Sequence, residues 1–287
     1  MKFTKQYDLR EKYQDGAIFH GLLFRFNSAG RGFVADLNDG GKILGEFLLD
    51  GVPDLVAHSN AVMFGTERVN PDDEFPVLYT NLYNTYKLED DRLEGTLLCY
   101  RVFRTETGFS SELLPVIRIG FAEDLSLWQS LPDCGDVRPY GNFVIDRENG
   151  ALWAFVMRNG TDSTRFFRFA LPKPTEGEVS ERFGVPTVTL RAADVRKTFD
   201  TPFMRFMQGA TMKDGKIYSV EGFTPKPDVP NKSPAGFRVI DTERGCEVLY
   251  QNLCELDLPT EPEMIDFDGD ILFYGNHGAG LYTVELH

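Results

Sequence analysis

Helical periodicity is nearly absent along this chain. Apolar and aromatic residues fall in short β-rich runs split by Gly, Asn and Asp. Examples are Gly21–Phe26, Gly32–Leu37, Val77–Asn81, Thr96–Phe103, Ala151–Met157, Phe166–Leu171 and Lys216–Val220. Such runs read as strands joined by turns. Two stretches, Ala122–Ser130 and Ala192–Phe199, suit short connecting helices. The expected fold class is all-β.

An all-β chain with regular turn signals calls for a search for repeats. Five segments share one pattern: Gln14–Phe24; His58–Gly65 with Pro76–Tyr79; Tyr140–Asp146 with Asn149–Trp153; Met207–Tyr218; and Pro262–Phe273. Each runs from small polar residues through an apolar strand and a tight Gly turn into an aromatic-rich strand. Asp214-Gly215 and Asp268-Gly269 are hairpin signals, because their turn needs positive φ. Two further strands follow, Gly236–Asp241 and Cys246–Gln251 in the fourth unit, Thr164–Leu171 and Pro186–Leu190 in the third. Four antiparallel strands per unit predict a single five-bladed β-propeller, at 287/5 or about 57 residues per blade. The last unit has three strands, Met264–Phe267, Ile271–Tyr274 and Leu281–Leu286. The N-terminal run Lys2–Leu9 would supply the fourth and close the ring. Expected blades are 14–50, 58–120, 138–190, 205–251 and 261–287 with 2–9. The rivals are a six-bladed ring, with an extra blade within Gly65–Gly135, and a decorated β-sandwich.

Composition excludes several classes. A chain with 42% hydrophobic residues has the apolar surface for a core. With 27 Gly and 16 Pro it is no coiled coil. Thirty Lys and Arg against 44 Asp and Glu leave −14, which repels phosphate backbones, so no nucleic-acid partner is expected. The longest apolar stretches, such as Leu113–Ile117, fall far short of the roughly 20 residues that span a bilayer. Met1–Arg10 lacks the apolar core of a signal peptide. Cys99, Cys134, Cys246 and Cys254 have no zinc spacing and read as reduced thiols, with a Cys246–Cys254 hairpin cross-link as the alternative. A cytoplasmic monomer is the default expectation, with secretion left open if a signal peptide was removed.

The run Pro262-Glu263-Met264-Ile265-Asp266-Phe267-Asp268-Gly269-Asp270-Ile271-Leu272-Phe273-Tyr274 resembles blades of bacterial lactonase-like, TolB-like and glutaminyl-cyclase-like propellers. So does Gln208-Gly209-Ala210 followed by Gly215-Lys216-Ile217-Tyr218. Chain-wide, the sequence looks like a group of uncharacterised bacterial propeller proteins. The resemblance implies the fold and carries no activity. A lactonase-like metal set would fall on Glu263, Asn60 and Asn142. No matching motif supplies its catalytic Asp, so that activity is not carried over.

Propeller geometry places the chemistry. Starts of inner strands and ends of second strands ring one mouth of the central channel, where rigidly held loops carry function. Inner-strand starts supply Gln14, Asp15, His58, Asn60, Arg138, Tyr140, Asn142, Gln208, Glu261 and Glu263. Second-strand ends supply Asn27, Asn81, Arg158, Glu221, Asn276 and His277. Such groups hydrogen-bond hydroxyls and carboxylates of a polar ligand, or simply line a wet channel. Asp15, Glu221 and Glu263 are the candidate catalytic acids, since paired carboxylates cleave glycosides. The acidic loop Gly65–Glu74 would suit a divalent cation such as calcium but lacks the familiar calcium-loop spacing, and Glu89-Asp90-Asp91-Arg92 reads the same way. The Pro-rich insertion Pro225–Pro234 would project over the mouth. No P-loop, GxGxxG, GxSxG or HExxH occurs. The expected function is binding of a small polar ligand, foremost a carbohydrate, with acid-assisted hydrolysis as its extension. The alternatives are a non-catalytic protein-interaction scaffold and a metal-dependent lactonase-like hydrolase.

Overall fold

The computed structural model describes residues 1–10, 12–51, 61–82, 93, 95–119, 143–158, 163–202, 204, 207–223, 234–256, 258 and 261–286. These form five sheets and no α-helix. The first sheet orders β2 (Gly16–Phe19), β3 (Leu22–Phe26), β4 (Arg31–Asp36) and β5 (Lys42–Leu48). The second starts from β6 (Val62–Phe64), β7 (Leu78–Leu82), β8 (Thr96–Thr105) and β9 (Gly108–Ile119). The third holds β10 (Phe143–Asp146), β11 (Ala151–Arg158), β12 (Ser163–Ala170) and β15 (Lys197–Pro202). The fourth holds β16 (Met207–Lys213), β17 (Lys216–Glu221), β18 (Gly236–Asp241) and β19 (Cys246–Asn252). The fifth holds β20 (Pro262–Asp268), β21 (Ile271–Asn276), β22 (Gly280–Glu285) and then β1 (Lys2–Asp8), which pairs antiparallel with β22 from Lys2↔Glu285 to Asp8↔Gly280. The innermost strands touch in the cyclic order β2, β6, β10, β16, β20 and back to β2. The chain is a five-bladed β-propeller closed by its first strand.

Turn chemistry follows the sequence closely. Asp214 and Gly215 both take positive φ, 50° and 68°, as a two-residue hairpin turn requires. In the last blade the turn lies one residue later than its Asp-Gly pair suggests. Asp268 still pairs with Ile271, and Gly269 carries the positive φ of 58°. The core lies in wedges between neighbouring blades. Tyr13, Ile18, Leu23 and Phe33 of the first blade meet Met264, Phe273 and Leu281 of the last. Tyr218, Val220 and Phe237 meet Ile265, Leu272 and Tyr274.

Two strand assignments need correction. Pro186–Leu190, expected as the fourth strand of the third blade, is β14. It runs parallel to β9 of the second blade, from Thr187↔Val116 to Leu190↔Ile119. β13 (Glu178–Val179) pairs beyond it, so that sheet has six strands. The twelve-residue β9 offers apolar residues at Ile117 and Ile119, which pack in one cluster with Val188 and Leu190. The true fourth strand of the third blade is β15, which begins inside the stretch expected as a helix and runs past its end. Ala192–Asp194 makes only a 3-10 turn there, before Phe199 stacks on Phe166 and packs beside Trp153. The other expected helix, Ala122–Ser130, lies outside the described residues.

One carboxylate ties the ring together. Asp266 on β20 accepts from the Ile18 amide (2.9 Å) in the first blade and from Thr211 Oγ1 (2.8 Å) in the fourth. It also accepts from Arg147 Nη2 (3.2 Å to each oxygen), just past β10 of the third. Arg147 Nε donates in turn to Phe64 O (2.8 Å) at the end of β6. All five inner strands are thus linked through one buried group.

Cys99, Cys246 and Cys254 are free thiols, so the Cys246–Cys254 cross-link is absent, and Cys134 lies outside the described residues. Among the described residues no helix is long and apolar enough to cross a membrane.

Candidate functional site

The acid-rich mouth is built by two matching irregularities. In β16 the register slips between Met207 and Gly209, and in β20 between Pro262 and Met264. Gln208 and Glu263 are the extra residues of these bulges, and a bulge re-aims its side chain. Gln208 Nε2 donates to Glu261 Oε1 at 2.5 Å and to Gly222 O at 3.4 Å. Glu263 is buried. Its Oε1 accepts from Gln14 Nε2 (3.3 Å) and from His277 Nδ1 (2.9 Å), while Oε2 has no partner among the described residues. His277 at the end of β21 is 40% exposed and so gives this buried acid a route to solvent.

Beneath them lies Arg25, fully buried near the end of β3. It donates to Asn276 O (2.6 Å), Gln14 O (3.3 Å) and Tyr13 O (3.5 Å), and its Nη1 has no partner among the described residues. Burial pulls its pKa down to about 10, against the attraction of Glu263 and Asp15. Asp15 is equally buried. Its Oδ2 accepts from the Val62 amide (2.8 Å), starting β6, while Oδ1 has no partner among the described residues. Gly209 makes room for this packing. A Cβ there would stand 2.8 Å from Glu263 O and 3.1 Å from Asp15 Oδ1.

Burial sets the proton affinities. It raises Asp15 well above the ordinary carboxylate range, opposed by the Val62 and Gly16 amides. Burial also raises Glu263, opposed by His277, and the hydrogen bond to Glu263 raises His277. The two titrate as a pair. Asp15, Glu221 and Glu263 hold protons more tightly in the folded chain than in the unfolded one. Their contribution to stability is full below the unfolded carboxylate values, 3.8 for Asp and 4.5 for Glu, and is lost as pH rises through the raised folded values. His277 acts in the same direction, its contribution full below 6.5 and lost above its raised folded value. The urea midpoint should therefore fall between about pH 5 and about pH 8. Asp15→Asn, which cannot ionise, should flatten that fall. An unchanged slope would remove Asp15 from this account.

The remaining candidates are spread further. Glu221 turns away to β18, where Arg238 Nε (3.0 Å) and Nη2 (2.8 Å) hold it. Among the described residues, the acids that face it are those around Arg238 and Tyr250, not Asp15 or Glu263. Asn81 accepts from the Ala61 amide (2.8 Å) and Asn276 Oδ1 from the Gly280 amide (3.0 Å), each bracing a strand start. Asn27 caps its turn through the Ala29 and Arg31 amides. His58, Asn60, Arg138, Tyr140 and Asn142 lie outside the described residues, as do Glu89-Asp90-Asp91-Arg92 and residues 224–233. Of Arg158 only the backbone, in β11, is described. In the acidic loop, Arg101 binds Asp73 (2.6 Å) and Arg104 binds Glu74 (2.8 Å), so arginines occupy two of the carboxylates considered for calcium. Among the described residues no group of three His, Cys, Asp or Glu is placed to hold a metal ion.

Structural comparison places the ring. The crystal structure of Myxococcus xanthus glutaminyl cyclase superposes with a TM-score of 0.51 over 99% of this chain and 94% of that one, at 11% identity. In fold, the chain is similar to a glutaminyl cyclase. The likeness fits the glutaminyl-cyclase-like pattern of the Pro262–Tyr274 blade and extends to architecture alone. The computationally designed Ika8 protein matches over 96% of this chain and 71% of its own at 9% identity, with a TM-score of 0.35 that carries no argument. No family model and no curated protein matches the sequence.

Arg25 is the residue that sequence reasoning missed. Its signal was present, as a lone charge inside the apolar run Leu22-Leu23-Phe24-Arg25-Phe26. A strand exposes every second residue in an open sheet, so a lone charge in such a run does not by itself mark a buried site. Packing between two blades buries both faces instead.

Proposed function

We propose that the protein binds a small hydroxylated ligand, a carbohydrate in the first instance, at the mouth lined by Gln14, Asp15, Gln208, Glu261, Glu263 and His277. One observation carries this reading. Asp15 Oδ1, Glu263 Oε2 and Arg25 Nη1 are buried polar atoms of one neighbourhood, and none has a partner among the described residues. Each such atom costs about 1–3 kcal/mol when left unmet. Two acceptors beside one donor suit hydroxyls, which donate and accept from the same oxygen.

Glu263 and His277 form the proton-transfer pair of this reading. His277 is reachable from solvent, and the acid behind it raises its proton affinity. In acid-assisted hydrolysis His277 would protonate the leaving oxygen, and water would add its hydroxyl and return the proton.

The test is calorimetric titration of mono- and disaccharides, with a glutaminyl peptide in the same panel because of the fold neighbour. Binding at a hundredfold excess over Kd should add about 2.7 kcal/mol of stability. Glu263→Gln should weaken the bound sugar at least tenfold. A sugar that binds this variant unchanged would place the site elsewhere. A panel in which only the peptide binds would replace the carbohydrate reading.

A further inference from the structure

The opposite mouth of the ring has a different chemistry. A cavity of about 490 Å³ opens where β2, β6, β10 and β20 end, a volume suited to a small organic molecule. Phe19, Phe64, Pro76 and Phe267 give it apolar walls, and Arg147 gives it a charged floor. Arg147 is held from behind. Its Nε is bound to Phe64 O and its Nη2 to Asp266, while Nη1 makes no hydrogen bond among the described residues. Its side chain keeps 24% of its exposure. A guanidinium fixed on one edge and open on another is pre-organised for a carboxylate.

The rim adds to this. Arg68 lies over the Phe19 ring, 5.9 Å from its centre, with Nε bound to Asp73 O. Lys213 lies 5.2 Å from the Phe267 centroid and is tied to Gly269 O and Asp270. His20 stands edge-on to Phe19. Asp268 is the one acid of the lining. Asp266 balances Arg147 and Asp270 balances Lys213, so attraction for an anion rests on the open Nη1 of Arg147 and on Arg68.

We propose that this cavity is a second binding site, for a small organic carboxylate with an aromatic or branched apolar body. The carboxylate would meet the open edge of Arg147 and the body would pack on the phenylalanine walls. The site is independent of the proposed function, because it lies at the other end of the inner strands and shares no residue with it.

Phenylacetate is the probe, followed by calorimetry at low salt. It should bind, and binding should weaken as salt is raised, as an ion contact near the surface requires. Thr66→Trp at the cavity rim should weaken it at least tenfold. Arg68→Gln should weaken it severalfold while leaving the ring clasp intact. Glu263→Gln should leave it unchanged. The proposal fails if 2-phenylethanol, which has no charge, binds as tightly, or if inorganic phosphate, which has no apolar body, does. It fails equally if Thr66→Trp has no effect, if Glu263→Gln abolishes binding, or if phenylacetate does not bind at millimolar concentration.

Discussion

Replacing Asp266 with alanine should cost about 3–5 kcal/mol, the range for removing one partner of a buried ion pair. The physical cause is local and countable. The substitution strands the Ile18 amide, the Thr211 hydroxyl and the Arg147 guanidinium at once, each from a different blade. Asp266→Asn should also destabilise. The carboxylate receives donors on both oxygens, and an amide would turn a donor toward one of them. Urea denaturation measures both. An Asp266→Ala loss below about 1 kcal/mol, ordinary for a surface change, would show that the five blades hold together without the clasp. A cycle with Arg147→Ala should reveal coupling between the pair, since contacting residues do not act additively.

Arg25→Met should lower stability near neutral pH by about 1.5–3 kcal/mol, the worth of a hydrogen bond to a charged group, here chiefly that to Asn276 O. Removing a buried charge relieves part of its desolvation, so the loss should sit in the lower half of that range. The informative feature is its pH dependence. Arg25 attracts Asp15 and Glu263 only when they are ionised, and burial makes both hold their protons to higher pH. The penalty should therefore be larger at about pH 8 than at about pH 5. A penalty equal at both values, or larger in acid, would mean that Arg25 serves only the carbonyls. The same variant should abolish measurable sugar binding at the mouth if the ligand uses Nη1.

The blade count, the hairpins and the closing strand were legible because each depends on local pattern. Asp214-Gly215 needs nothing beyond its own φ preference to turn the chain. β1 could be recognised because the last unit was one strand short. β14 and β15 were misread for the opposite reason. Both are short, and neither has a strong pattern of its own; what assigns each is the edge it meets. The apolar rim of β9 draws in β14, and Phe166 and Trp153 draw in Phe199 of β15. The mouth was legible in part. Gln14, Gln208, Glu261, Glu263 and His277 do meet one another, because inner-strand starts and second-strand ends share one end of any propeller. Glu221 does not join them, since Arg238 lies on the neighbouring strand and attracts its carboxylate first.

By itself, then, the sequence determined the kind of ring and which end of it is acid-rich, through turn residues and strand polarity that act over a few positions. Tertiary structure alone decided what those polar groups do. The bulges at Gln208 and Glu263 re-aim two side chains, Arg25 becomes a buried cation, and Asp266 becomes the link between blades. The last two depend on strands more than two hundred residues apart meeting where both faces of a strand are buried. Charge there is governed by neighbours that no local pattern can name.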